Sequence, residues 1–217
     1  MTAADRGCTK SLTNIGVMYV KGADDLPRND VLAVRYLSKA VDSGDPTAAL
    51  NLGKMCEAGR GGPMGAAEDA ALRFVQMAAE GGHVKAQCKL AAWYAEGGPA
   101  GSGIEGGGNW KEARKWYRLA ARQGHAGACV ALGKMYVEGQ GVPSNAKVAI
   151  KHFRVAADKS NVEGMFLLGR TLCDGVAGKA GISPNPKAGI GWVRKASRKG
   201  SVQAKRFLET MTLLPEQ

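Results

Sequence analysis

A Leu-Gly pair and the residues around it recur along this chain at nearly constant steps, and no other feature so narrows what the chain can fold into. The pairs fall at Ile15-Gly16, Leu52-Gly53, Leu90-Ala91, Leu132-Gly133, Leu168-Gly169 and Leu208-Glu209, in steps of 37, 38, 42, 36 and 40 residues. A second register, Ala33, Ala71, Ala113, Ala149 and Gly189, advances by 38, 42, 36 and 40. The two sets of steps coincide, so one repeating unit contains both. The copy from Gly124 to Ala157 shows its parts. Ala128, Leu132, Gly133 and Tyr136 share one helix face, and Gly139 follows where a left-handed residue would end that helix. After a loop over 140–145, Ala149, His152, Phe153, Ala156 and Ala157 form a second stripe at helical spacing. Two helices of this length cannot bury their faces alone, so each hairpin requires a neighbouring copy.

Bulky residues three positions beyond the second register, Tyr36, Phe74, Trp116, His152 and Trp192, are followed by Ala40, Ala78, Ala120, Ala156 and Ala196. This alternation of large and small lets closely packed helices interdigitate. The pattern predicts an all-α chain without strands and with about eleven helices. Five helix-turn-helix pairs are expected over 9–44, 46–82, 84–124, 126–160 and 162–200, followed by a lone helix over 202–211. The first helix is expected over 9–21 and the second over 30–43. Length variation is concentrated between the two helices of a pair, at 98–109 and 175–186. Longer loops then gather on one side, where they cost little.

The pattern A-x-x-x-L-G-x-M-Y-x-x-G, a loop, then A-x-x-W-Y-x-x-A-A-x-x-G-H resembles the Sel-1-like repeat, a relative of the tetratricopeptide repeat. It recurs five times in register over about 200 residues. Cys56, Leu172 and Thr212 stand where tyrosine is usual, Ala91 and Glu209 replace the helix glycine, and Ser160 replaces the closing glycine. These departures loosen single turns. The resemblance implies a right-handed α-superhelix (an α-solenoid) that serves as an adaptor or scaffold, with no chemistry and no particular partner.

With 45% hydrophobic and 23% charged residues, the chain has enough apolar surface for a long core. No apolar run approaches the ~20 residues of a membrane span, and Met1–Lys10 is too short and polar for a signal peptide. Cys8, Cys56, Cys88, Cys129 and Cys173 are odd in number and irregularly spaced, without a C-x-x-C pair. They read as buried free thiols in a reducing compartment, mitochondrial matrix or cytoplasm, and no zinc ligand set is formed.

Charge bears most directly on partners. Residues 1–108 carry 11 basic and 12 acidic residues, a net of −1, while 109–217 carry 19 and 7, a net of +12. The excess gathers at positions i, i+3 and i+7 of the second helices, as Lys115, Arg118, Arg122, Lys151, Arg154, Arg194 and Arg198. This outer basic ridge suits an acidic protein surface or a phosphate backbone. The alternative is a solvated face that preserves solubility. Aromatics are 6% of the chain and serve the core stripe, so any RNA would be held through its backbone. A second candidate surface is the inner wall lined by the first helices, with Lys54, Lys134 and Arg170. It would take a peptide or helix, or its charges would pair across neighbouring helices.

No catalytic residue, cofactor, metal site or small-molecule substrate is expected. Residues 101–106 spell G-x-G-x-x-G, but no strand precedes them. His83 and His125 share a repeat position with Asp45, Asn161 and Ser201, which reads as helix-start capping, and His152 replaces a core aromatic. No nucleophile has a recognisable base. The apolar end, Phe207, Leu208, Met211, Leu213 and Leu214, either folds back over the last pair or is covered by another chain. Two functions remain: a scaffold subunit bound to other protein subunits in a larger assembly, one that contains nucleic acid if the ridge takes a polyanion, or a free-standing adaptor with a peptide in its concave groove.

Overall fold

The computed structural model describes residues 3–23, 25–62, 69–98, 104, 106–175 and 181–212. These form eleven helices: α1 Ala3–Lys21, α2 Asp30–Asp42, α3 Pro46–Glu57, α4 Ala70–Glu80, α5 Val84–Glu96, α6 Trp110–Arg122, α7 Ala126–Glu138, α8 Ala146–Asp158, α9 Val162–Asp174, α10 Pro186–Arg198 and α11 Val202–Thr212. Among the described residues there is no strand beyond isolated bridge residues, Ala23 with Leu26 among them. The all-α architecture of five helical hairpins and a last helix matches the expectation. Helix α1 begins six residues earlier than expected. Ala3, Ala4 and Arg6 are good helix formers that offset Gly7, and no proline interrupts the stretch, so the helix runs upstream of its apolar stripe. The G-x-G-x-x-G at 101–106 lies largely outside the described residues, as do Leu213 and Leu214.

Capping residues set most of the boundaries. Asp45, His83, His125 and Asn161 each accept a backbone N–H at the start of a first helix, and the Ser201 hydroxyl does so for α11. The second helices other than α4, where Asp69 makes no side-chain cap bond, use asparagine, which the repeat spacing alone did not single out. Asn29, Asn109, Asn145 and Asn185 accept from the N–H three residues on. Their own N–H groups donate to the carbonyls of Tyr19, Tyr94, Tyr136 and Leu172 at 2.7–3.0 Å. One asparagine therefore caps the second helix and ties it to the first. Ser160, at the closing-glycine position, has φ of 63°, a left-handed value that glycine adopts without strain.

The helix glycine of the repeat is required by its neighbour. A Cβ on Gly16 would stand 2.7 Å from Leu37, on Gly53 2.8 Å from Val75, on Gly133 2.3 Å from Phe153, and on Gly169 2.7 Å from the Gly189 carbonyl. These distances show the first helix pressed against the second of its own hairpin.

The chain divides into two compact units, residues 1–116 and 117–217, with the boundary inside α6. In the first, Ala33, Leu37, Ala40, Ala48, Leu52, Met55 and Phe74 form a core, and Tyr19 stacks on Tyr36. Arg60, just after α3, donates to Asp30 at 2.6 Å and to the Val20 carbonyl at 3.0 Å, joining the end of α1 to the start of α2. Hydrogen bonds from Arg60 and then Arg28 hold the Asp30 carboxyl far below the usual carboxylate range.

In the second unit the core contains Ala149, Phe153, Ala157, Met165, Phe166, Leu168, Val193, Ala196 and Ala204. Half-buried Phe207 and Leu208 of α11 pack against it, with Phe207 edge-on to Phe166 at 6.2 Å. The apolar end is thus covered in part by the final hairpin itself. His152 is half-buried rather than fully in the core, stacked on Tyr136 at 5.7 Å. All five cysteines are free. Cys129 and Cys173 are buried and Cys56 and Cys88 half-buried, but Cys8 is exposed on α1, contrary to the reading of five buried thiols. Burial raises the Cys56, Cys129 and Cys173 thiols, which keeps them protonated and unreactive.

Candidate partner-binding site

In the second unit the first helices α7, α9 and α11 line two adjoining clefts. One, of about 320 Å³, runs between α7 and α9 from Lys134 and Val137 to Asp174. The other, of about 490 Å³, runs between α9 and α11 and adds Phe166, Gln203, Arg206, Phe207 and Thr210. They share Lys134, Leu167, Arg170 and Asp174, so they form one groove along the inner wall. Leu167 and Phe207 supply apolar floor, and charged residues stand at the rim.

Lys134 and Arg170, both named from sequence, meet in this groove. Lys134 pairs with Glu163 of α9 at 2.6 Å, a contact across neighbouring first helices, whereas Arg170 pairs within its own helix with Asp174 at 3.4 Å. Both pairs are exposed and therefore worth about 1 kcal/mol or less each. Lys54 lies in the first unit, exposed on α3, and does not join them. That unit has a lysine where the groove has Leu167: Lys89 pairs with Glu57 at 2.8 Å and lies 4.9 Å from the Trp93 ring centre. A position that provides apolar floor in the second unit is closed by charge in the first. Leu167 and Glu163 were not singled out from sequence, and Phe207 was named only as part of the apolar end. Leu167 and Phe207 each precede the Leu-Gly position, and that shared register was the available signal.

The ridge residues are all exposed. Lys115 belongs to the first unit, where it pairs with Glu112 at 3.4 Å and lies over Trp116. Arg118, Arg122, Lys151, Arg154, Arg194 and Arg198 belong to the second, on α6, α8 and α10. Arg118 lies close enough to His152 to disfavour its charged form, after the larger effect of burial. His83, besides capping α5, is held below the ordinary histidine range, first by burial and then by Lys54 and Lys85. Among the described residues no group of His, Cys, Asp and Glu is placed to hold a metal ion, and no helix is long and apolar enough to cross a membrane.

Stacked helical hairpins with a grooved first-helix face define an α-solenoid of the protein-binding class. Five consecutive stretches, 9–45, 46–83, 84–125, 126–161 and 162–201, match the Sel1 repeat, and the chain belongs to the Sel1 repeat family. Members of this family generally mediate protein–protein interaction, as non-enzymatic scaffolds. The chain is similar to chitin synthase regulatory factor 3 of Schizosaccharomyces pombe, 27% identical over 220 residues that cover 99% of this chain and 23% of that protein. A Sel1 repeat protein from Oxalobacter formigenes has a similar solved structure, with a TM-score of 0.76 and 26% identity over 97% of this chain and 81% of that one. The protective antigen c5321 of uropathogenic Escherichia coli shares the fold, with a TM-score of 0.80 and 24% identity over 96% of this chain and 42% of that one. The chain thus spans less than half the length of the yeast relative and of the antigen.

Proposed function

We propose that the chain is a non-enzymatic scaffold, one subunit of a larger protein assembly, that holds an extended or helical segment of a partner protein along the inner wall of its second unit. The groove shared by α7, α9 and α11 carries this reading. Leu167, Phe166 and Phe207 offer an apolar floor to a side chain of the partner, and the charged rim fixes the segment's direction. The rim pairs Lys134–Glu163 and Arg170–Asp174 are exposed, so a partner with charges of its own exchanges them at small cost. The name of the yeast relative, a regulatory factor, supports a non-catalytic role. Free thiols support a reducing compartment, mitochondrial matrix or cytoplasm.

A photo-crosslinking residue placed at Leu167 in the full chain, in its source cells, tests the groove, with Val155 on the outer face of α8 as the comparison position. Crosslinks from position 167 to a discrete protein, lost on Arg170→Glu, are expected. Crosslinks from 155 with none from 167 would reject the groove. Elution of the native protein within a large complex is expected for a subunit, and elution at the size of one adaptor and one peptide would favour the free-standing reading.

A further inference from the structure

We propose that the outer face of the second unit binds a nucleic-acid duplex through its phosphates alone. This surface lies on α6, α8 and α10, away from the groove, and the proposal goes beyond the reading of that groove.

Arg118, Arg154 and Arg194 occupy one repeat position on three successive second helices, at steps of 36 and 40 residues. The first unit has Ser38 and Gln76 at that position, and Gln76 donates to Glu80 at 3.0 Å within its own helix. Arg122 and Arg198 extend the row one turn further on, and Lys151 extends it one turn back. All six side chains belong to exposed residues, and none forms an ion pair among the described residues. Asp158 is the single acidic residue on α8, α10 and the part of α6 within this unit. Like charges a turn apart disfavour a helix, and an unbalanced face repels itself. Solubility alone is served by interspersed signs, as on α2 and α4, where Arg35 accompanies Asp42 and Arg73 accompanies Glu80; α8 keeps one acid at that register, Asp158, between Arg122 and Arg198, so the unbroken row is Arg118, Arg154 and Arg194. The concentration of one sign on this face therefore points to an anionic polymer.

The kind of polymer follows from what lies between the cations. Single strands are held largely by stacking of bases on aromatic rings. Here the tryptophan of α10, Trp192, is half-buried and has Lys195 4.9 Å from its ring centre, and the exposed large apolar residue of α8 is Val155, 44% exposed. A face of cations without a stacking platform suits phosphates whose bases are paired. Helices α8 and α10 each pack on α9, at roughly 10 Å per packed pair, and not on each other, so neighbouring arginines stand more than about 10 Å apart and the row is longer than about 20 Å. A duplex presents one charge per about 1.7 Å of its axis, ample for six contacts over that length.

The test uses the purified full chain and fluorescent RNA and DNA duplexes of one sequence, titrated from about 50 to 200 mM salt. Six phosphate contacts give a log–log slope near −5, about a thousandfold loss across this range. Similar slopes are expected for both duplexes, since neither base edges nor 2′-hydroxyls are read. The triple variant Arg118→Gln/Arg154→Gln/Arg194→Gln, with unchanged circular dichroism, is expected to halve the slope. Arg→Lys at the same three positions is expected to preserve it. A slope shallower than about −2, wild-type binding by the glutamine variant, tighter binding to the separated strand, or tighter binding to polyglutamate or phosphatidylserine vesicles would each overturn the proposal. The groove substitution Arg170→Glu is expected to leave a duplex-binding glutamine effect intact, so this surface and the groove can fail separately.

Discussion

Gly133→Ala and Gly191→Ala make the same chemical change in two helices of the second unit, and their surroundings give them opposite signs. Each replaces a helix-interior glycine with the best helix former, a gain of about 1 kcal/mol. A Cβ at Gly191 meets nothing within 4 Å, so that gain is kept. At Gly133 the same Cβ would stand 2.3, 2.5 and 2.9 Å from the Cε1, Cδ1 and Cζ atoms of Phe153. Carbon atoms rest about 3.5–4.0 Å apart, so the ring must retreat by more than about 1 Å. Phe153 is 1% exposed within the core and borders the cleft between α7 and α9, so its ring retreats only by displacing core neighbours or by entering that cleft. Overpacking of this kind costs about 1–3 kcal/mol, and the severity here puts it at the upper end. After the helix gain is set against it, a net loss of about 2 kcal/mol remains. For a chain of this size that lowers the melting temperature by roughly 4–8 °C, while Gly191→Ala raises it by roughly 2–4 °C. Thermal melts followed by circular dichroism read both. Adding Phe153→Leu to Gly133→Ala should recover part of the loss, with a coupling of about 1 kcal/mol in a double-mutant cycle. A Gly133→Ala protein as stable as the parent would refute the view that close approach to the second helix demands glycine.

Three further outcomes follow from named contacts. The lowered pKa of His83 means that the unfolded chain, titrating near 6.5, binds the proton more readily; stability is full above that value and falls as pH drops through it toward the lower folded value. His83→Asn keeps the N-cap acceptor and should make the melting temperature less sensitive between about pH 7 and 5, and an unchanged pH profile would refute this assignment. Asn145→Ala removes the acceptor for the Val148 N–H and should cost about 1–2 kcal/mol in urea denaturation, with a neutral result counting against the cap. Phe153→Ala should cost about 3–5 kcal/mol by the same assay, whereas Lys134→Ala, which breaks only the exposed pair with Glu163, should cost less than about 1 kcal/mol.

The repeat was legible because its period is covalent. The recurrence of Leu132-Gly133 and Ala149 at matched steps states which residues lie on one helix face and that each hairpin needs a neighbour, and five consecutive stretches match the Sel1 repeat. Capping was legible too, since the bond from the Ala128 N–H to His125 spans three residues and depends only on local backbone geometry. The start of α1 was missed because helix propensity extends beyond the apolar stripe that marked it. The exposure of Cys8 was missed because sequence spacing does not tell which side of that first helix has a neighbour.

The groove is a different matter. Lys134 and Arg170 could be placed on the inner wall by counting, but whether each pairs across helices or along its own depends on how far α7 is displaced against α9, a distance that no spacing records. Leu167 and Phe207, 40 residues apart, line one cleft only because α9 and α11 pack side by side, while Lys89 in the corresponding position is drawn to Glu57. The sequence by itself determined the helices, their caps and the faces they bury, because those follow from periodicity and bonds between near neighbours. Only the tertiary structure decided which wall positions open into a groove and which cations remain without a partner, because those follow from contacts between side chains that the chain brings together from far apart.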